Sequence, residues 1–119
     1  MANARDVGFG KEKDAVKYLI KNGYKILETN FRTIFGEIDI IAKHKGDIVF
    51  LEVKYRQSVS HGVPQEAVNK SKQNKIIKSA VLYLKKHAVK GEFRFDVVSM
   101  SGDKIEIIES AFSSDKYFI

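Results

Sequence analysis

Two acidic residues interrupt the most apolar stretches of this 119-residue chain. Asp39 lies among the isoleucines of residues 37–42, and Glu52 lies within the hydrophobic run of residues 48–55. Burying an unpaired carboxylate is expensive, so each of these groups needs a cationic partner, a bound metal ion or a raised pKa. These two positions are therefore the first candidates for chemistry.

Lys54 follows Glu52 at the spacing that places both side chains on one face of a strand, about 7 Å apart. An adjacent strand lies about 4.8 Å away, so Asp39 is well placed to face the same point. Two oxygen ligands beside a lysine suit Mg²⁺ or Mn²⁺ at a phosphate, where the metal activates water and the lysine adds positive charge. The alternative is a buried ion pair of Asp39 or Glu52 with Lys54, which needs no metal.

One segment carries the positive excess of the chain. The sequence has 21 basic and 15 acidic residues, a net charge of +6, and residues 67–91 contain seven lysines and no acidic residue. Such a surface is expected to meet a polyanion, and flanking arginines suit phosphate contacts. The alternative is a lysine face that only keeps a helix solvated. The predicted nucleic-acid contacts are Arg32, Arg56, Lys70, Lys72, Lys75 and Lys78.

Two further residues are accessory candidates for this site. Glu37 shares a strand face with Asp39 and would contact a second metal or a substrate phosphate. Its alternative role is to orient Arg32, Arg56 or a turn. Gln73 lies one turn into the basic helix, where its amide either reaches the site or lies on the surface.

The remaining residues exclude several classes of protein. The absence of cysteine removes disulfides, thiolate zinc sites and cysteine nucleophiles. Asp96 is predicted to pair with an arginine. No apolar run approaches about 18 residues and no apolar leader opens the chain, so we expect a cytoplasmic protein with no membrane contact. Three histidines lack zinc-hydrolase spacing and are predicted on the surface or in loops, namely His44, His61 and His87.

The elements that position these residues follow from hydrophobic periodicity and turn signals. Strands joined by short glycine turns predict an antiparallel meander between two helices. The predicted helices cover residues 5–22 and 64 or 65 to 87, and the predicted strands cover residues 24–32, 37–43, 48–56, 92–100 and 104–110. We expect one domain over residues 1–119 with an α/β fold, a mixed central sheet flanked by helices in the order α-β-β-β-α-β-β.

A longer pattern of motifs extends over nearly the whole chain. Its most specific parts are Gly36-Glu37-Ile38-Asp39 and Glu52-Val53-Lys54-x-Arg56, preceded by Glu12-x-x-Ala15 and followed by Gly62-x-Pro64 and Arg94-Phe95-Asp96. On these residues the chain resembles the YraN-like family of small bacterial proteins. That family is similar to the PD-(D/E)xK, or restriction-endonuclease-like, superfamily. Within that superfamily, archaeal Holliday-junction resolvases are similar to this chain in size and motif order.

The resemblance implies a restriction-endonuclease-like fold and a set of site residues. Asp39 and Glu52 are implied as metal ligands, with the Val53 carbonyl as a third. Lys54 is implied as the catalytic lysine, and Glu12 as an acid contributed by the first helix.

The sequence therefore predicts a nucleic-acid-binding protein, a Mg²⁺-dependent DNA endonuclease that hydrolyses phosphodiesters at branched or distorted DNA, as in DNA repair or recombination. A homodimer would suit paired cuts at a two-fold junction. One alternative is a non-catalytic nucleic-acid-binding module that retains the nuclease fold. Another is a component of a larger assembly whose basic helix meets a protein partner.

Overall fold

The computed structural model describes the backbone of residues 4–56 and 68–114 and the side chains of residues 12–55 and 68–114. The elements are α1 (Ala4–Lys21), β1 (Lys25–Thr33), β2 (Gly36–His44), β3 (Asp47–Arg56), α2 (Lys70–Lys86), β4 (Phe93–Ser101) and β5 (Lys104–Phe112). The predicted α/β class and element order are confirmed. Every predicted boundary except the start of α2 lies within two residues of the observed one. The single domain over residues 1–119 stays a prediction.

The five strands form one mixed sheet in the order β1-β2-β3-β4-β5. The pairs β1–β2, β2–β3 and β4–β5 are antiparallel, as the predicted meander requires, and β3 and β4 are parallel. Gly36 closes the first hairpin with φ +142° and Gly46 the second with φ +84°, values that glycine adopts without a steric penalty. Because a parallel pair needs a crossover, the segment between β3 and β4 contains α2.

The sheet is covered on both faces, one by each helix. On one face, Phe31, Ile38, Phe50, Val97 and other sheet residues pack against Ile76, Ile77 and Ala80 of α2. On the other face, Ile40, Val49, Leu51 and Val98 pack against Ala15 and Leu19 of α1. Double coverage explains the almost continuous apolar runs of β2 and β3. A carboxylate on either strand can therefore reach solvent only where the strands end.

Helix α2 begins later than the sequence predicts. Its N-cap is Asn69, whose extended backbone (φ −73°, ψ 166°) and side-chain bond to the Lys72 N–H end any continuation toward Val68. The predicted start at residue 64 or 65 lies outside the described residues, but Val68 is a buried residue in a bend before the helix, not part of its apolar side. An asparagine cap satisfies an amide that a proline start would leave to solvent.

The buried side of α2 also differs from the one that helical periodicity predicts, which consists of Val68, Ile76, Ile77, Ala80, Val81 and Leu84. The helix buries Ser79 and Tyr83, whereas Val81 is half-buried. Ser79 is buried because its hydroxyl hydrogen-bonds the Thr33 hydroxyl at 2.7 Å. Tyr83 packs edge-on against Phe31 at 5.4 Å between ring centroids.

A buried polar network joins the sheet at the far end from Asp39. The fully buried Asp96 accepts hydrogen bonds from Arg94 Nε at 3.0 Å and from the Tyr24 hydroxyl at 2.9 Å. The predicted pairing of Asp96 with an arginine is confirmed.

The histidine prediction is wrong for one of its three residues. His44 is buried on β2, stacked on Tyr24 with ring centroids 3.8 Å apart and bonded to Arg94, because the Arg94 network needs a partner inside the sheet. His87 is exposed at the C-cap of α2, as predicted. His61 lies outside the described residues.

Candidate functional site

Asp39 and Glu52 meet where β2 and β3 separate. Pairing between the two strands runs from His44–Asp47 to Ile40–Leu51. One residue farther along, the Asp39 carboxylate accepts the Val53 backbone N–H at 2.9 Å in place of a strand-to-strand bond. The Glu52 carboxyl, only 3% exposed, hydrogen-bonds the Asp39 carboxylate. The two acids that the sequence singles out are therefore in direct contact.

Burial sets the protonation of this carboxyl pair. Burial, together with the adjacent charge of Asp39, raises the pKa of Glu52 to about 7 against the opposing effect of Lys72. Burial also raises the pKa of Asp39, although the Val53 N–H stabilises its charged form. Two acids in contact cannot both ionise freely in a low dielectric, so near neutral pH they hold a proton between them, donated by Glu52 to Asp39.

Lys72 supplies the positive charge next to this pair. Its ammonium reaches from the first turn of α2 and forms an ion pair with Glu52 Oε1. Burial alone would lower the pKa of Lys72, but the hydrogen bond and charge of Glu52 outweigh burial and leave that pKa raised. The ion pair that the sequence offers as an alternative to a metal site has Lys54 as its cation, whereas the observed partner of Glu52 comes from α2. Lys72 was predicted only as a nucleic-acid contact.

Lys54 follows Glu52 on the same strand face and is half-buried. Among residues 12–55 and 68–114 it forms no ion pair with either Asp39 or Glu52, so the buried ion pair weighed as an alternative is not found with this lysine. Its ammonium is therefore not committed to the carboxyl pair.

Helix α1 contributes an acid from the other side of the sheet. The Asn30 amide donates to Glu12 Oε2 at 3.3 Å and to Glu37 Oε1 at 2.6 Å, and so links α1 to β2. Burial raises the pKa of Glu12, Asn30 opposes this, and the charges of Asp39 and Glu37 raise it further, with a net increase. Glu12 therefore lies within electrostatic range of Asp39, as the resemblance implies.

Asn30 is a site residue that sequence reasoning missed. Its backbone has φ 53°, a left-handed value that asparagine tolerates better than most residues. The β1–β2 pairs Thr29–Ile40 and Phe31–Ile38 flank it, so Asn30 sits across from Asp39. An asparagine inside a strand next to a carboxylate-bearing strand is the signal that identifies such a position.

A cleft opens over the carboxyl pair between β2 and the start of α2. Its volume is about 390 Å³. The lining residues are Gly36, Glu37, Asp39, Asn69, Ser71, Lys72, Lys75 and Ile76. The cleft combines acidic groups at its floor with lysines from α2 along its wall, which suits a ligand that carries both a cation and negative charge.

The remaining predicted residues lie around this cleft. Glu37 pairs with Arg32 at 3.5 Å, as its orienting role predicts, and the Arg32 side chain is 81% exposed. Gln73 donates its amide to the Val68 carbonyl at 2.8 Å and thereby fixes the chain before α2. Lys70, Lys75 and Lys78 are exposed on α2, whereas the side chain of Arg56 lies outside the described residues.

Residues 11–100 of the chain match the model of a family described as Uncharacterised protein family UPF0102. The chain belongs to this family. The predicted membership in a family of small bacterial proteins is thereby confirmed.

Relatives align over most of their length. UPF0102 proteins of Persephonella marina and Thermodesulfovibrio yellowstonii are 48% identical over 109 residues and 50% identical over 107 residues. These alignments cover 89% and 90% of this chain and 94% and 96% of the relatives. A relative from Clostridium botulinum strain 657 is 47% identical over 116 residues, covering 91% of this chain and 94% of its own.

Among solved structures, the chain is similar to the crystal structure of a repair endonuclease from Pyrococcus abyssi, with a TM-score of 0.48 and 19% sequence identity. The alignment covers 87% of this chain and 41% of that one, so the chain spans less than half of the endonuclease's length. Separately, neither helix in the described part of the chain is long and apolar enough to cross a bilayer.

The donor set of this UPF0102 protein fits a hard cation with few protein ligands. Within the described side chains, no three or more His, Cys, Asp or Glu residues converge to form a complete metal cage. The donors at hand are the oxygens of Asp39 and Glu52 and the Val53 carbonyl, which faces the same side of β3 as the Val53 N–H. Mg²⁺ commonly binds through one or two carboxylates while it keeps several waters, so these donors suit it.

Proposed function

We propose that this protein is a Mg²⁺-dependent DNA endonuclease that hydrolyses phosphodiesters at branched or distorted DNA. The observation that carries the proposal is the buried Asp39–Glu52 carboxyl pair, of which Asp39 lines a cleft together with Lys72 and Lys75. Contact between two buried carboxyls is costly for a fold and is most readily explained by a cation that they bind. The motif resemblance of these residues to the PD-(D/E)xK superfamily supports the same reading.

Asp39, Glu52 and the Val53 carbonyl would hold the cation. When bound, Mg²⁺ lowers the pKa of a water and neutralises negative charge on the phosphate. Binding requires the shared proton to leave the carboxyl pair, so the affinity of the site for metal rises with pH. Glu12 lies on the α1 side of Asp39, where an acid can accept a proton from water.

Two lysines have distinct roles in this proposal. Lys54, which forms no ion pair within the described residues, adds positive charge to the scissile phosphate. Lys72 contacts Glu52 and neutralises the single negative charge of the carboxyl pair before metal binds, and it is freed to contact phosphate afterwards. The exposed lysines of α2 hold the DNA backbone, so affinity falls steeply with salt concentration.

A second candidate function rests on the same ion pair. Because Lys72 already neutralises the negative charge of the carboxyl pair, the acids would also serve a non-catalytic nucleic-acid-binding module with no metal. In that case the carboxyl pair stabilises the position of α2 and the lysines alone bind nucleic acid. The two functions differ in whether divalent metal binds to the carboxyl pair.

The test combines metal binding with cleavage of four-way junction, flap and intact duplex DNA in Mg²⁺ or Mn²⁺. We expect calorimetry to detect Mn²⁺ binding that Asp39→Asn abolishes and Asp103→Asn, in an exposed turn, leaves unchanged. Lys54→Ala should lower nicking by about a hundredfold or more with DNA binding retained, since one electrostatic stabiliser is lost. Lys43→Ala, at an exposed position of β2, is its matched control.

Undiminished cleavage by the Lys54→Ala protein would overturn the mechanism. Nucleic-acid binding without metal binding or cleavage would support the non-catalytic module instead.

A further inference from the structure

The tip of the β1–β2 hairpin exposes an apolar side chain to solvent. Among the described residues, Ile34 is the most exposed large apolar side chain, at 92%, and Phe35 follows it in the same turn. The next in order is Ile20 on α1, at 57%. Two apolar residues at a hairpin tip contradict the polar composition that turns normally have.

The hairpin tip is held rigidly on α2. Ser79 donates its hydroxyl to Thr33 Oγ1 at 2.7 Å, and the Phe35 N–H donates to the same oxygen at 3.0 Å. The Thr33 hydroxyl in turn donates to the Gly36 carbonyl at 3.2 Å. One threonine thus joins both sides of the turn to a buried helix position. A rigid apolar projection costs little further ordering when it binds a partner.

Two lysines of α2 lie beside this tip. The Lys78 ammonium lies 5.5 Å from the centroid of the Phe35 ring. Lys75 lies one helical turn earlier and lines the cleft together with Gly36. Apolar surface framed by lysines matches nucleic acid, whose unstacked bases are apolar and aromatic and whose backbone is anionic.

The tip is also continuous with the candidate active site. Ile34 and Asp39 are five residues apart on one hairpin, so their Cα atoms lie within about 17 Å of each other. That distance corresponds to about five base steps at 3.4 Å per step. The hairpin tip is therefore within reach of DNA whose phosphate lies at the carboxyl pair, at a distance of about half a helical turn.

We propose that Ile34 and Phe35 form a wedge that packs against unstacked bases where two DNA strands diverge. The inference rests on the proposed function and deepens it, because it assigns recognition of interrupted base stacking to a particular structural feature. An intact duplex offers no unstacked base to the wedge, so Ile34 contributes to junction and flap binding but not to duplex binding.

The test measures binding to a four-way junction, a flap and an intact duplex in a chelating buffer, where no cleavage occurs. We expect Ile34→Ser to weaken junction and flap binding by about tenfold, as loss of one buried isoleucine predicts, with duplex binding unchanged. Ile34→Phe should retain the preference, and Ile20→Ser is the matched exposed control. A 2-aminopurine at the branch point should brighten on binding of the native protein but not of Ile34→Ser.

An unchanged junction preference in Ile34→Ser would overturn the wedge. If Ile34→Ser lost binding to anionic lipid vesicles but kept its junction binding, the wedge would be overturned in favour of a membrane contact. These binding measurements need no catalysis, so they are independent of the proposed nuclease activity. A junction preference that depends on Ile34, in a protein that does not cleave DNA, would support the wedge and overturn the proposed nuclease. Metal-dependent cleavage with no role for Ile34 would do the reverse.

Discussion

The buried carboxyl of Glu52 should make the metal-free protein lose stability as pH rises. Burial raises the pKa of Glu52 from 4.5 to about 7 in the folded state. Between these values the unfolded chain has released the proton and the folded chain retains it, so the free energy of unfolding falls with increasing pH. Each pKa unit is worth about 1.4 kcal/mol, so the total loss by about pH 8 is about 3 kcal/mol.

The substitution Glu52→Gln removes this titration and retains the side-chain shape and an oxygen that accepts from Lys72. We expect the variant to gain about 3 kcal/mol relative to the native protein on going from about pH 5 to about pH 8. Urea denaturation of both proteins at the two pH values, with chelator present, gives this difference. Contributions that do not depend on pH cancel in it.

The contributions of titrating groups that do not contact Glu52 cancel as well. Burial lowers the pKa of His44, which makes stability rise with pH, but the native protein and the variant share this effect. Glu106→Gln, at an exposed carboxylate on β5, is the matched control. Saturating Mg²⁺ at about pH 8 should add about 3 kcal/mol to the native protein at a hundred times its dissociation constant, and nothing to Glu52→Gln. An equal stability difference at both pH values would refute the reasoning.

Three further predictions concern the surroundings of the site. Asp96→Ala leaves the mostly buried Arg94 guanidinium without its closest carboxylate and should cost about 3 kcal/mol in urea denaturation. Replacing both Lys75 and Lys78 by Gln should reduce by about 2 the slope of log affinity for DNA against log salt concentration, measured by fluorescence anisotropy. Asn69→Ala removes the N-cap of α2 and should lower the free energy of unfolding by about 1 kcal/mol.

Each of these predictions has a matched control in the same chain. Asp103→Ala in an exposed turn should leave stability nearly unchanged, and so should Ser71→Ala near the start of α2. Lys85→Gln with Lys86→Gln makes the same change of charge at the other end of α2. If that pair alters the salt slope as much as the first pair does, the DNA does not follow the cleft end of the helix.

Local sequence rules predicted most of the secondary structure. Glycines such as Gly36 and Gly46, placed between alternating or continuous apolar runs, identify hairpins without any tertiary information. The start of α2 was mistaken because the helix was placed from residue 64 or 65 and the N-cap signal of Asn69 was not used. The residues before Val68 are not described, but the cap geometry at Asn69 shows where the helical backbone begins.

The candidate site likewise contains residues that the sequence identified and contacts that only the structure revealed. Asp39 and Glu52 were recognisable because a carboxylate in an apolar strand has a high desolvation cost wherever the strand lies. Their direct contact depends on the register of β2 against β3, which the short turn between them largely determines. The contact between Lys72 and Glu52 could not be predicted from local sequence, because the two residues are far apart in the chain and meet only after α2 packs on the sheet.

The amino-acid sequence by itself determined the strands, the turns and the need for charge compensation of two acids, because these depend on backbone preferences and on the cost of desolvating a carboxylate. Tertiary structure alone decided which cation lies against Glu52, that His44 is buried, and that Phe35 lies beside Lys78 of α2. Those outcomes depend on the docking of one element on another. Docking is set by the packing of side chains that are distant in sequence, and no local pattern encodes it.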